Sequence, residues 1–164
     1  MVKVYLSLGS NLEPERNLAA ALRELQHRFG VLTISPTYRS SAVGFDGPDF
    51  LNLAVGLETE LEPPALDLWL HALEDRHGRR RDVPRFSSRT LDADIVLYDD
   101  RIVRGPGNLE LPRPDLRHAF VLKPVADIAP ELVHPLLGKT MAQLWREFPA
   151  ASEPLHDAPP IAPS

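Results

Sequence analysis

Apolar and polar residues alternate from Val2 to Leu8, with Val2, Val4, Leu6 and Leu8 set against Lys3, Tyr5 and Ser7. A period of two marks a half-buried strand, and it stops at Gly9. From Pro14 the period lengthens: Leu18, Leu22, Leu25 and Phe29 fall at helical spacing between Glu13 and Glu15 at the start and Gly30 at the end. Acids suit the positive end of a helix and glycine suits its terminus, so a first helix is predicted there. Strand-like residues return over Val31–Arg39, broken by Pro36, which confines part of the segment to a sheet edge or a bulge. The loop "SSAVGFDGPD" (Ser40–Asp49) then leads into a second strand-like run, Phe50–Leu61, and the two strands are expected to form a hairpin. Pro63 and Pro64 open a second helix carrying Leu66, Leu70 and Leu73 and ending at His77 and Gly78. After an arginine-rich segment comes a strand, Leu91–Tyr98.

The order strand, helix, strand, strand, helix, strand predicts an α+β fold, a ferredoxin-like βαββαβ antiparallel sheet with its helices on one face. Beyond it, "DDRIVRGPGNLELPRP" reads as a further strand hairpin, and "AFVLKPVADIAP" with a helix around Thr140–Phe148 is expected to cover the other face, making three α-β-α layers. Residues 1–148 are read as one domain. The Pro- and Ala-rich tail 149–164 is expected to be disordered.

The 164 residues carry a net charge of −5 and no cysteine. Disulfide frameworks, thiolate metal sites and cysteine nucleophiles are therefore excluded. An acidic chain does not suit general nucleic-acid binding. No apolar run reaches the ~20 residues of a membrane span, and "MVKVYLSLGSNL" lacks the apolar core of an export signal, so a cytoplasmic protein is expected. Charge is unevenly placed: Arg79, Arg80, Arg81, Arg85 and Arg89 face a single acid, Asp82, between Gly78 and Arg89. Such a cluster suits a small, highly charged anion.

Directly after it, Asp92 and Asp94 sit two apart in the strand, on the face opposite Leu91, Ala93, Ile95 and Leu97. Most D-x-D pairs are solvated or bridged to arginine, and Arg89 is close enough in sequence to serve. Paired carboxylates also hold hard divalent cations, which prefer oxygen ligands, and arginine forks take the remaining phosphate oxygens. Together they suit a nucleoside triphosphate. No G-x-x-x-x-G-K-[ST] occurs, so this is not a P-loop enzyme. Asn52 among apolar neighbours is a buried amide in need of partners, and it shares a strand face with Phe50.

Five motifs in order, "SLGSNL", "YRSSAVG", "FLNLAV", "GRRRDVPRFSSRTLDADIVLY" and "AFVLKPVADIAPELVHP", resemble the 6-hydroxymethyl-7,8-dihydropterin pyrophosphokinase family of folate biosynthesis. The resemblance implies transfer of pyrophosphate from ATP to the hydroxymethyl group of a reduced pterin, with AMP released and two magnesium ions bound. By that resemblance Asp92 and Asp94 would be the metal ligands. Arg79, Arg81 and Arg89 would act on the migrating group together with Asp94, a candidate proton acceptor. His71, Glu74, Arg85 and Ile95 would lie on the nucleotide side, as would Arg113, Arg117 and His118. The pterin would lie between Phe50 and Phe120, read by Asn52, with Ser40, Val43 and Phe86 completing its pocket. Closure of Gly78–Ser88 over the ligands is also implied. The chain departs from the family pattern at Arg113, which stands where a histidine is usual, and the segment before Phe120 is one residue short. The implied partners are small molecules, with no nucleic acid, membrane or protein partner. Rival readings are an RRM-like RNA-binding module, a two-metal phosphohydrolase on the same aspartates, and a homologue without activity.

Overall fold

The computed structural model describes residues 1–42, 46–78 and 90–164. At its centre β1 (Val2–Ser10) runs antiparallel between β4 (Phe50–Thr59) and β5 (Asp92–Tyr98). β4 also pairs antiparallel with β2 (Thr33–Ile34) and β3 (Thr37–Ser40), two short strands parted by Pro36. A proline has no N–H to give a ladder, so the single strand suggested by Val31–Arg39 becomes two. A final strand, β8 (His156–Ala158), pairs with β3, and the sheet order is β5-β1-β4-β3-β8. The hairpin expected after β5 is present as β6 (Val103–Arg104) and β7 (Glu110–Leu111).

Helices lie on both faces. α1 (Pro14–Phe29) and α2 (Pro63–Arg76) pack Leu18, Leu22, Leu25, Leu66, Leu70 and Leu73 against Leu6, Leu8 and Leu53 of the sheet, all fully buried. Each such leucine contributes about 1.5–3 kcal/mol of burial. The opposite face of the sheet presents Tyr5, Ala54, Val96 and Leu97 to Val121, Leu122 and Val125 of α3 (Ala119–Ile128) and Met141 of α4 (Met141–Glu147). α4 begins where its pattern places it, with the Thr140 hydroxyl accepting the Gln143 N–H at 3.1 Å, an N-cap. Among the described residues no helix is long and apolar enough to cross a membrane.

Two expectations need correction. Leu97 does not share a face with Leu91, Ala93 and Ile95. β1 pairs Leu6 with Ile95 but Tyr5 with Leu97, so Val96 is an extra residue in the ladder. This bulge turns Val96 and Leu97 toward α3 and returns Tyr98 to the α1/α2 side. The C-terminal segment is also ordered where described. After a 3-10 turn at Ala150–Ser152, β8 covers the free edge of β3, Ile161 joins the core, and the Ser164 N–H bonds the Ala19 carbonyl at 3.2 Å. Composition misleads here because prolines restrict the unfolded chain and so reduce the entropy lost on laying it down, while an open sheet edge rewards any strand that pairs with it.

Candidate active site

The site follows from sheet register. Residues directly opposite in antiparallel strands share a face, and one row crosses four strands: Tyr38 opposite Asn52, Asn52 opposite Gly9, and Gly9 opposite Asp92. The next row places Ser7 between Ala54 and Asp94. Strands lie about 4.8 Å apart, so Asn52 and Asp92 stand roughly 10 Å apart across a glycine. This is the face that α3 and α4 partly cover, and the one the alternation of Asp92 and Asp94 against the core residues predicts.

Asp94 is held in a demanding environment. Burial pushes its carboxyl up to about 7, the Asp92 charge adds to the rise, and Arg113 opposes it. The Arg113 guanidinium stands 3.4 Å from the Asp94 Oδ1 and 3.4 Å from the Asp115 Oδ2. Burial alone would lower the Arg113 pKa, but Asp94 and Asp115 more than reverse it. The Arg113 N–H bonds the Val96 carbonyl at 2.9 Å, so this arginine is fastened to the bulge of the strand whose acid it faces.

On the other side of β5, Glu74 is buried, and its Oε2 accepts the Ala93 N–H at 2.9 Å. Ala93 lies between the two aspartates. A carboxylate from α2 therefore occupies the outer edge of the strand at the point where the acids project, which fixes their backbone and leaves no open edge there.

The aspartate pair fits a divalent cation. Two carboxylates project from one strand face, and burial, with the Asp92 charge adding to it, raises the Asp94 pKa. Among the described residues no cluster of three or more acidic or histidine side chains forms a self-sufficient cage. Two carboxylates suit an ion that shares its remaining coordination with phosphate oxygens and water.

The other expected residues fall as follows. Asn52 is buried and donates from Nδ2 to the Ser40 Oγ at 2.9 Å, while Phe50 pairs with Ser40 across the same strands. Phe120, on α3, stacks on His118 with ring centroids 5.3 Å apart. The His118 Nδ1 stands 3.3 Å from Glu153 Oε1, which also accepts the Ala119 N–H at 3.0 Å. Arg117 is exposed, and His71 lies on α2 at 3.7 Å from Asp67. The Ile95 side chain is in the core between sheet and helices, leaving only its backbone for any ligand. A cavity of about 470 Å³ brings Arg113 and Arg117 together with Leu122, His134 and Phe148. Val43, Arg79, Arg81, Arg85, Phe86 and Arg89 lie outside the described residues, as does all of the expected closing segment except Gly78.

Three contributors to this region lie outside the expected set. Gly9 stands in the sequence only as a strand end, Glu153 lies in the segment expected to be disordered, and Asp127 has no role expected of it. Asp127 accepts from the Tyr38 hydroxyl and from Lys123 Nζ, the latter at 2.6 Å, tying β3 to α3 beside the row. The i, i+4 spacing of Lys123 and Asp127 was a usable signal.

Known proteins resemble this chain over most of its length. The family model for 7,8-dihydro-6-hydroxymethylpterin-pyrophosphokinase (HPPK) matches residues 5–130. A 2-amino-4-hydroxy-6-hydroxymethyldihydropteridine pyrophosphokinase of Synechocystis is 40% identical over 143 residues, spanning 85% of this chain and 72% of its own. The protein of that name from Haemophilus influenzae is 38% identical over 153 residues, spanning 90% and 94%. A crystal structure of wild-type Plasmodium falciparum HPPK-DHPS superposes with a TM-score of 0.70 at 14% identity, over 90% of this chain but only 44% of that one. That last likeness bears on the fold alone. Neither the RNA-binding nor the phosphohydrolase reading finds support among these matches. The chain belongs to the 7,8-dihydro-6-hydroxymethylpterin-pyrophosphokinase family.

Proposed function

We propose that the face running from Asn52 to Asp94 transfers the β,γ-pyrophosphoryl group of ATP to the hydroxymethyl oxygen of 6-hydroxymethyl-7,8-dihydropterin. The chain is thus a pyrophosphokinase of folate biosynthesis, an ATP-dependent diphosphotransferase that releases AMP. The observation that carries the reading is the row Asn52–Gly9–Asp92, which sets an amide suited to a heterocycle edge and a carboxylate suited to a phosphate-bound cation roughly 10 Å apart, with a glycine as the strand residue between them. That distance accommodates a pterin ring, its exocyclic carbon and the attacking oxygen in line with a phosphate.

Phosphoryl chemistry asks a protein chiefly for positioning and neutralisation of charge. Asn52 and Phe50 orient the pterin from β4, and Phe120 closes on it from α3. Asp92 and Asp94 would hold two magnesium ions, which when bound would supply positive charge to the triphosphate. Arg113 lies beside Asp94, where its guanidinium can turn from the carboxylate to a phosphate. His71, Arg117 and His118 are assigned to the nucleotide by resemblance. The same holds for the arginines between residues 79 and 89, with the pyrophosphoryl group as their ligand. Glu74 is assigned to the nucleotide side by resemblance as well, and its Oε2, which accepts the Ala93 N–H, also ties α2 to the strand that carries the aspartates.

We further read β1–α1–β3–β4–α2–β5 as the ferredoxin-like split βαβ plan, residues 1–148 as the catalytic domain, and ATP and the reduced pterin as the partners. The test is incubation with ATP, magnesium and 6-hydroxymethyl-7,8-dihydropterin. Equimolar AMP and pterin diphosphate support the reading; ADP, orthophosphate, or no product from folded protein refutes it.

A further inference from the structure

Asn52 does not stand alone in its row. Its Nδ2 donates to the Ser40 Oγ at 2.9 Å, a bond buried between β4 and β3. Its Oδ1 lies directly over Gly9, so closely that a Cβ at position 9 would meet the oxygen at 2.7 Å, nearer than a Cβ approaches any atom. The next nearest atoms to that Cβ are farther off, at 3.7 Å for the Asn52 Cγ and 3.8 Å for the Leu51 carbonyl. The amide oxygen is therefore the principal thing a side chain at position 9 would displace. Gly9 has no need of glycine for its own backbone, since it sits mid-ladder between Asn52 and Asp92 in ordinary strand pairing. What the missing Cβ provides is room.

We propose that Gly9 and Ser40 are positioning residues that together fix the plane of the Asn52 carboxamide, and that this fixed plane sets the enzyme's affinity for the pterin. The inference rests on the functional reading above and deepens it. A free asparagine side chain rotates about its terminal torsion through a broad, nearly two-fold well. A donor–acceptor edge such as a pterin's is matched only when the amide oxygen and nitrogen lie in the plane of the ring. Ser40 anchors one end of the amide, and the bare Cα of Gly9 admits the other. The plane is thereby paid for during folding instead of during binding, which is the general route by which preorganisation raises affinity.

The experiment measures dissociation constants for 6-hydroxymethyl-7,8-dihydropterin, and separately for a nonhydrolysable ATP analogue with magnesium, in wild type, Gly9→Ala, Asn52→Ala and the double variant. Gly9→Ala is expected to weaken pterin binding about tenfold, the size of one lost hydrogen bond, with nucleotide affinity unchanged. In the Asn52→Ala background the same substitution is expected to cost nothing more, because its effect passes through the amide. An undiminished loss in that background, or full pterin affinity in Gly9→Ala, overturns the proposal while leaving the enzymatic reading intact. Wild-type protein that binds no pterin overturns both. Should Gly9→Ala not fold, Ser40 decides: Ser40→Ala should weaken pterin binding severalfold, and Ser40→Thr, which keeps the hydroxyl, should restore it. Equal losses in the two Ser40 variants count against the proposal.

Discussion

The Arg113 Nη2 stands 3.4 Å from the Asp94 Oδ1, and even with that cation at hand the Asp94 carboxyl is pushed up to about 7. Burial and the neighbouring Asp92 outweigh the guanidinium. An acid in this condition is uncomfortable in the metal-free protein, and the direction of its pH dependence follows.

An unfolded aspartate titrates near 3.8, so between about 4 and 7 the folded metal-free chain holds a proton that the unfolded chain has lost. Stability contributed by this group is therefore greatest at low pH, falls as pH rises through that window, and levels off above it. Asp94→Asn removes the dependence. In EDTA-treated protein the advantage of Asp94→Asn over wild type in urea denaturation should grow between pH 4.5 and 7.5, by an amount of order 1–3 kcal/mol. A difference that stays constant with pH contradicts the environment described for Asp94.

Glu74 acts on the same strand from behind. Glu74→Ala leaves the Ala93 N–H buried and without its acceptor, at a cost of about 1–3 kcal/mol in stability. Glu74→Gln retains an acceptor oxygen and should recover most of it. If Glu74 instead served only to touch nucleotide, both variants would lose nucleotide affinity and keep wild-type melting temperature; calorimetry with differential scanning separates the two cases.

The C-terminal segment is predicted to stabilise α3. Glu153 accepts the Ala119 N–H at 3.0 Å, serving a helix start whose own N-cap residue, His118, makes no side-chain cap. Glu153→Ala should cost about 1 kcal/mol, in the range of lost helix caps. Removal of residues 149–164 should cost more, because it also uncovers the edge of β3 and strips Ile161 from the core. Chemical denaturation measures both, and a truncated chain as stable as the full one would show that the strap contributes nothing.

Much of this architecture was legible in the sequence because it depends on local period. The two-residue alternation of Val2–Leu8 and the leucine spacing of α1 and α2 report which face of each element meets the core, and the core formed there. The acids Asp92 and Asp94 were legible for the same reason, since alternation alone puts them opposite Leu91 and Ala93. What escaped was non-local. The bulge at Val96 is set by pairing with β1, so simple alternation puts Leu97 on the wrong face. The tail's order depends on an edge strand more than a hundred residues away in the chain. Gly9 shows its purpose only when register brings Asn52 over it, and no pattern within "SLGSNL" reveals that.

On the proposed function, the Asp92 and Asp94 carboxylates bind divalent cations together with the triphosphate. Crystals grown with manganese and a nonhydrolysable ATP analogue test it directly through anomalous scattering. Peaks are expected within coordination distance of both carboxylates, with Arg113 swung from Asp94 toward a phosphate oxygen. Nucleotide bound with no anomalous peak at either aspartate, and Arg113 still paired to Asp94, would contradict it.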